Sequence, residues 1–355
     1  MKFLFDARYI RPDFHDGISR YSVSMGNALS KLMPVTFIIS DEKQRDFLPK
    51  KAKFIRFHKP TSAKEPFSAL LLNKYHPDVV FSPMQTIGAL GRKFKLILTL
   101  HDMIYYRHRT PPKDLNPLLR LGWYLFHLTY VPQRLVLNRA DLVITVSETA
   151  KKQFEAAKLT KRSIVAIPSA PSTFDKPPKM TQSDFPKNIV YMGSFMPYKN
   201  VETLIRAMEW LPGRSLHLLS RISIEREKEL RLLIPRGAEV IFHRGVTDQE
   251  YAQILAEDAI FASASLDEGY GLPLAEALSF GVPAVVSDID IFHEVGGKGA
   301  LYFNPHDPKD FAKCVKTLDD ATKKHRLIAA GKKRMKQFTW DAAAQSLRAA
   351  IKSLQ

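Results

Sequence analysis

A chain of 355 residues with a 45% hydrophobic share can bury two separate cores, so two domains are expected rather than one. Its one cysteine, Cys314, excludes an internal disulfide framework, gives little basis for a thiolate metal site, and points to a reducing cytoplasm. The net charge of +17 sits almost wholly in one half: residues 1–170 hold 28 basic and 13 acidic side chains, residues 171–355 hold 25 and 23.

The opening MKFLFDARYI turns polar after four residues, which does not read as a signal peptide. From there short strand-like runs alternate with helical segments: KFLFDA (2–7), VTFIIS (35–40), DVVFSP (78–83), KLILTL (95–100) and DLVITVS (141–147). Several are apolar on both faces, as a buried parallel sheet requires. Residues 18–32, 114–139 and 148–158 have helical spacing or length, so the first half reads as one doubly wound α/β unit. The longest nearly apolar run, LGWYLFHLTYV (121–131), is too short to span a bilayer and contains His127, which leaves a soluble or surface-bound protein.

After IVAIPSA the texture changes. PSTFDKPPKMTQSDFPK (171–187) carries four prolines and no periodic pattern, and reads as a linker. A second alternation follows: NIVYMG (188–193), a helix from Asn200 to Leu211, SLHLLS, EVIFHRG, a helix from Asp248 with Thr247 and Glu250 as a capping box, DAIFASAS, a helix after Pro273, and PAVVSD. The terminal TWDAAAQSLRAAIKS has Thr339 as a cap and an apolar stripe that must pack on something, the first unit being one candidate. Two doubly wound domains, 1–170 and 188–338, are expected to face each other across a cleft, with ligands at the carboxyl ends of the strands.

One such end carries DEGYGLPLAEALSFGVPAVVSD (267–288). Gly269 and Gly271 let backbone amides approach a ligand, and Pro273 suits a first helical turn whose amides favour an anion, so the segment reads as a phosphate site. Glu276, one turn into the helix, can accept from two vicinal hydroxyls such as those of a ribose, and Glu268 in the loop can reach hydroxyls at the other end of a nucleotide-sugar. A capping carboxylate with turn glycines is the plainer alternative. Asp288 and Asp290 form a D-x-D that reads as a turn rather than a metal site, and no H-E-x-x-H, cysteine pair, Walker loop or G-x-G-x-x-G is present.

The run EGYGLPLAEALSFGVPAVVSD resembles the E-x7-E signature of family-4 (group 1) glycosyltransferases, retaining enzymes of GT-B fold, and other segments follow that family's order. MKFLFDARYIRPDFHDGISRYSVSMGNAL resembles its opening strand and glycine loop, LTLHDMIYYRH its histidine loop, and ADLVITVSETAKKQF its last N-domain strand and helix. YMGSFMPYKNVETLIRAM is similar to the start of its C-terminal domain. Within the family the chain resembles bacterial enzymes that add mannose or related sugars to cell-surface glycan or glycolipid.

The resemblance implies catalytic roles for His101, Lys199 and Glu268. Lys199 would be the cation for the donor diphosphate, His101 a group beside the transferred sugar, and Gly17 part of a loop near phosphate or acceptor. Gly193, Tyr270, Leu272 and Glu276 fall in donor-binding segments, with Gly245 and Val246 near the base. Ser194 stands where many relatives carry a second diphosphate cation, and Arg221 and Arg244, each after an expected strand, are candidate replacements. The implied partners are a nucleotide-sugar, GDP-mannose before a UDP-sugar, and a glycan or lipid-linked acceptor. No cofactor, metal or nucleic acid is implied.

The excess charge in the first half adds an anionic membrane surface to the expected partners, with a cytoplasmic or peripheral inner-face location. A basic surface kept for solubility is the alternative. Rival functions are a nucleotide-sugar epimerase or hydrolase of the same fold, and a basic nucleic-acid-binding protein, for which no reading motif is present.

Overall fold

The runs that are apolar on both faces become strands covered on both faces. A computed structural model of the chain describes residues 1–13, 16–111, 116–172, 178–181, 183 and 185–354. It divides into two compact units, Met1–Ser169 with Thr339–Gln355, and Ala170–Phe338.

The first unit contains β1 (Phe3–Asp6), α1 (Gly17–Ser30), β2 (Thr36–Ile39), β3 (Lys53–Arg56), α2 (Ser68–Leu72), β4 (Val79–Ser82), β5 (Lys95–Thr99), α3 (Ile104–Arg107), α4 (Pro117–Phe126), α5 (Val131–Leu137), β6 (Leu142–Thr145), α6 (Glu148–Ala156) and β7 (Ile164–Ala166). Its strands pair in parallel in the order β3-β2-β1-β4-β5-β6-β7. β1, β4 and β6 are buried throughout, whereas the edge strands β3 and β7 are only half-covered. This is why β3, with Lys53 and Arg56 at its ends, gives no apolar signal in sequence.

The second unit contains β8 (Asn188–Tyr191), α7 (Val201–Ala207), β9 (Ser215–Leu218), α8 (Ile224–Arg231), β10 (Glu239–Phe242), α9 (Asp248–Ala256), β11 (Ala259–Ser263), α10 (Leu272–Phe280), β12 (Ala284–Ser287), α11 (Asp290–Gly296), β13 (Ala300–Phe303), α12 (Pro308–Thr317) and α13 (Ala321–Met335). Its sheet, also parallel, runs β10-β9-β8-β11-β12-β13. In both sheets the order reverses direction once, between β1 and β4 and between β8 and β11. Those are the points where loops after adjacent strands diverge and leave a crevice.

Two expectations need correction. The stretch 114–139 is not one helix: residues 117–126 and 131–137 separate into α4 and α5, with Pro132 in the first turn of α5, where a missing N–H does no harm. Residues 114 and 115 lie outside the described residues. The helix expected from Asn200 to Leu211 is α7 followed by a 3₁₀ turn, Met208–Trp210. Within the segment read as a linker, residues 173–177, 182 and 184 are likewise outside the described residues.

The last helix, α14 (Trp340–Lys352), belongs to the first unit and packs on α1. The Thr339 hydroxyl accepts from the Ala342 amide at 3.1 Å, and Ala343, Ala344, Leu347, Ala350 and Ile351 form the buried stripe. Trp340 meets Tyr21 of α1 edge-on at 5.7 Å between ring centroids. Burying Leu347 and Ile351 fully contributes about 1.5–3 kcal/mol each, more than the helix gains from its own propensity. Leu347→Ala is therefore expected to lower the stability of the first unit by about 2–5 kcal/mol, read as a fall in denaturant midpoint. A change under about 0.5 kcal/mol, the range of ordinary surface substitutions, would show that α14 adds nothing to that unit.

Candidate functional site

In the second unit, β8 ends at Tyr191 and the chain turns through Gly193 and Ser194 into the 3₁₀ turn Pro197–Lys199. The turn ends on Asn200, whose left-handed φ of 52° is one that asparagine tolerates better than most residues. Its Nδ2 donates to the carbonyls of Ala264 (3.1 Å) and Pro305 (2.7 Å), past the ends of β11 and β13, and the Leu266 amide donates to the Tyr198 carbonyl at 2.8 Å. Three strand ends thus fix the position of Lys199.

Lys199 Nζ lies 2.6 Å from Glu268 Oε1, with each side chain 14% exposed. Ser265 Oγ donates to the same carboxylate oxygen at 2.9 Å. β8 and β11 are hydrogen-bonded neighbours, so two of the three residues from which catalysis was expected, Lys199 and Glu268, meet at the reversal point of the sheet.

Beyond Glu268 the chain enters α10 through Gly271. Its φ is 88°, and a Cβ there would lie 2.9 Å from Cε1 of Phe292, so both backbone and space require glycine. Gly269 and Tyr270 are buried, and burial pushes the Tyr270 hydroxyl well above its ordinary range, so it stays protonated. Leu272 opens the helix, Pro273 follows it, and Glu276 is 3% exposed. A carboxylate this deep is unusual on a helix that otherwise buries Leu274, Ala275, Ala277 and Leu278.

Around β8 and β9, the Gly193 amide donates to Ser220 Oγ at 3.1 Å. A Cβ on Gly193 would come within 2.7 Å of the Tyr191 hydroxyl, which donates to the Ser194 carbonyl at 2.6 Å. The Ser194 side chain itself is exposed.

Of the two arginines considered as replacement cations, Arg244 is engaged. Its Nε and Nη2 lie 2.8 and 2.9 Å from the Glu227 carboxylate, which also takes Arg231 Nη2 at 2.7 Å. The Arg244 hydrogen bonds are the chief cause that holds the Glu227 carboxyl down at about 2, against an ordinary 4.5. The Arg221 side chain lies over Gly245, where a Cβ would meet its Cγ at 2.9 Å. Gly245 has φ 113° and its amide donates to the Leu219 carbonyl at 3.0 Å. Val246 is half-buried ahead of the Thr247–Glu250 capping box.

Asp288 accepts from His293 at 2.6 Å, Asp290 begins α11, and both aspartates are exposed. Among the described residues no three His, Cys, Asp or Glu side chains gather to hold a metal ion.

In the first unit, His101 follows β5. Its Nε2 donates to the Pro83 carbonyl at 2.8 Å, and the ring meets Tyr21 edge-on at 5.2 Å. Burial lowers its pKa, against the opposing pull of the Pro83 carbonyl and the Asp16 charge, and the neutral ring leaves Nδ1 as an acceptor. Gly17 is the exposed first residue of α1, next to the cap Asp16, which accepts from the Ser19 amide at 2.8 Å and pairs with Arg11 at 3.1 Å. Residues 14 and 15 of that loop lie outside the described residues.

Three contributors give no distinct signal in sequence. Asn200 and Ser265 act through folded-state hydrogen bonds, and Glu227 sits among the charges of a polar helix. The one hint is that asparagine after YK suits a left-handed turn.

Family models match over most of the chain: "Glycosyltransferase Family 4" over residues 15–170 and "Glycosyl transferases group 1" over residues 186–320. The O-antigen chain mannosyltransferase RfbU of Salmonella typhimurium is 24% identical over 85% of this chain and 87% of its own length. Among solved structures, sucrose-phosphate synthase (tll1590) from Thermosynechococcus elongatus superposes with a TM-score of 0.76 at 18% identity, covering 99% of this chain and 98% of that one. Anabaena Alr3699/HepE, solved in complex with UDP and glucose, superposes with a TM-score of 0.73 at 20% identity over 99% and 100%.

The Glu227 hub generates a pH prediction. Its folded pKa lies below the ordinary value, so its contribution is complete above pH 4.5 and is lost as pH falls from 4.5 toward about 2. The thermal midpoint of Glu227→Gln should fall below that of the parent at neutral pH, and the gap should close through that window. A gap that stays constant into acid would show that the carboxylate charge is not what holds Arg244 and Arg231.

Proposed function

Because this chain belongs to the group 1, family 4 glycosyltransferases and has the GT-B fold, we propose that it moves a hexose, mannose before others, from a nucleotide-sugar to a hydroxyl of a glycan or lipid-linked acceptor, with retention of anomeric configuration. The observation that carries this reading is the Lys199–Glu268 pair at the reversal point of the second sheet, beside the glycine-opened helix α10 and the buried Glu276.

Lys199 is the cation for the donor diphosphate. Charge on the departing diphosphate grows as the bond to the sugar breaks, so an ammonium already fixed in a partly buried position favours that state over the bound donor. The amides at the start of α10 add the same sign of potential. Glu268 holds Lys199 in place before the donor arrives, and its carboxylate is available to a sugar hydroxyl.

Glu276 accepts from the two ribose hydroxyls, and the Gly245–Val246 loop meets the base through its backbone. Arg221, whose side chain lies over Gly245, supplies the further positive charge where Ser194 has none.

In the reaction the bond from the anomeric carbon to the diphosphate oxygen breaks, and a bond from that carbon to the acceptor oxygen forms on the same face. The departing diphosphate takes the acceptor proton, so no protein nucleophile and no metal are required. His101, neutral, offers a hydrogen-bond acceptor to the sugar, and the Gly17 loop of the first unit serves the acceptor side. The mannosyltransferase relative supports mannose as the sugar; the donor of this reading is GDP-mannose, with a UDP-sugar, the nucleotide class bound in the HepE structure, as the competitor. Such chemistry suits cell-surface polysaccharide synthesis at the inner face of a membrane.

Two measurements test the reading. In a thermal-shift panel, GDP and GDP-mannose are expected to raise the midpoint more than UDP, ADP and their sugars, since a ligand at about 100 times its Kd adds about 2.7 kcal/mol. Transfer is expected to persist in EDTA, and no stabilisation by any nucleotide would overturn the donor site.

In the second, Lys199→Ala is expected to lower kcat by about 100-fold or more while nucleoside binding survives, as loss of one transition-state contact does. Glu276→Gln is expected to weaken donor binding by about 1–3 kcal/mol in a folded protein. Unchanged donor affinity in that variant would remove Glu276 from the site.

A further inference from the structure

Helix α4 departs from the packing of the other long helices: none of its residues is buried. Its sequence PLLRLGWYLF is nevertheless mostly apolar, and Leu118, Leu119, Leu121 and Leu125 are 82, 57, 55 and 54% exposed. Leu118, Leu121 and Leu125 fall at i, i+3 and i+7, which places them on one helix face. The other side holds the helix down: Trp123 lies against His127 at 4.0 Å and Tyr105 at 5.1 Å between ring centroids, and Phe126 packs on the core of the first unit. Leu128, Val131 and Leu135 continue the exposed apolar surface into α5. So many exposed apolar side chains within two successive helices mark an interaction site rather than the scattered leucines of an ordinary exterior.

The charge around it selects the partner. Among the described residues from 103 to 140, the charged side chains are Arg107, Arg109, Arg120, Arg134 and Arg139, all basic. Arg120 sits on α4 itself, and Arg107 and Arg109 flank it, all exposed. A second copy of the chain would bring the same cations against these and be repelled. An anionic lipid leaflet offers headgroups to the arginines and hydrocarbon to the leucines at the same depth. Tyr105, Trp123 and Tyr124 are the residue types that settle at that boundary. A helix of ten residues is about 15 Å long, and no helix among the described residues is long and apolar enough to cross a membrane, so α4 would lie in the interfacial plane.

We propose that α4, with Arg107, Arg109 and Arg120, is the element by which the first unit docks on an anionic membrane surface.

The test is co-sedimentation of the full chain with vesicles of phosphatidylcholine, or of phosphatidylcholine mixed with an equal part of phosphatidylglycerol, across a salt series. Binding to the anionic vesicles that weakens with salt is expected. The variant Leu118→Asp/Leu121→Asp/Leu125→Asp should lose about tenfold or more of that partitioning with its thermal midpoint kept, because the replaced side chains face water. Should the triple variant fail to fold, the milder Arg120→Glu should show the loss on anionic vesicles alone. Leu232→Asp, at an 87% exposed position on the second unit, should bind as the parent does.

Equal binding to neutral vesicles, binding to neither kind, or full binding by the folded variants would overturn the proposal. So would a dimer of the free chain that the α4 variant dissociates. The readout requires no glycosyl transfer, so a failed donor site and a failed docking helix are distinguished.

Discussion

Parallel pairing of β8 with β11 is the constraint on which the second unit depends. In a parallel pair both strands end at the same edge, so whatever follows each strand is delivered to one place. Here that is Lys199 after β8 and Glu268 after β11, 69 residues apart in sequence and 2.6 Å apart in space. β9 and β10 lie to one side and β12 and β13 to the other. The connections therefore diverge, and the carboxyl edge stays open at that point. The Asn200 and Leu266 hydrogen bonds then fix the pair, since both reach groups on the neighbouring loop rather than solvent.

The same edge carries part of the local cost of the fold. Positive φ occurs at Asn200, Arg244, Gly245 and Gly271, all in loops that follow strands. Each is a conformation most residues avoid, kept because surrounding contacts leave no alternative. The first unit carries a different cost after β1, a buried charge cluster. Arg8, buried, donates to both oxygens of Asp6 at 2.7 and 2.9 Å and to both of Glu65 at 2.7 and 2.8 Å. One guanidinium serves two carboxylates, His58 Nδ1 lies 3.3 Å from Glu65, and burial raises the Glu65 pKa. Such a cluster costs desolvation energy that an apolar packing would not, and it fixes the direction in which the chain leaves the strand.

Legibility in sequence followed burial. β1, β4, β6, β11 and β12 are covered on both faces, and their runs FLFD, VVFS, LVIT, AIFAS and AVVS announce themselves. β3 and β7 sit at edges, so their side chains answer to solvent as much as to a core. α8 carries Glu225, Glu227 and Glu229 among three basic residues, and nothing in that spacing distinguishes the buried Glu227 from its exposed neighbours. The apolar stretch holding α4 was readable as a helix. Whether it was core was not, because hydrophobicity reports what a residue prefers and not what it meets.

By itself the sequence determined the α/β alternation, the glycines and proline that open α10, the two carboxylates with seven residues between them, and the uneven division of charge. Each is a local property, set by backbone preference or by counting, and each survives any arrangement of the rest of the chain. Tertiary structure alone decided that Glu268 holds Lys199, that Glu227 binds Arg244 and Arg231, that α14 returns to α1, and that the leucines of α4 face water. These depend on which strands become neighbours and on what remains to cover a surface once the cores are filled. Such facts belong to pairs of residues far apart in the chain, and no window of sequence contains them.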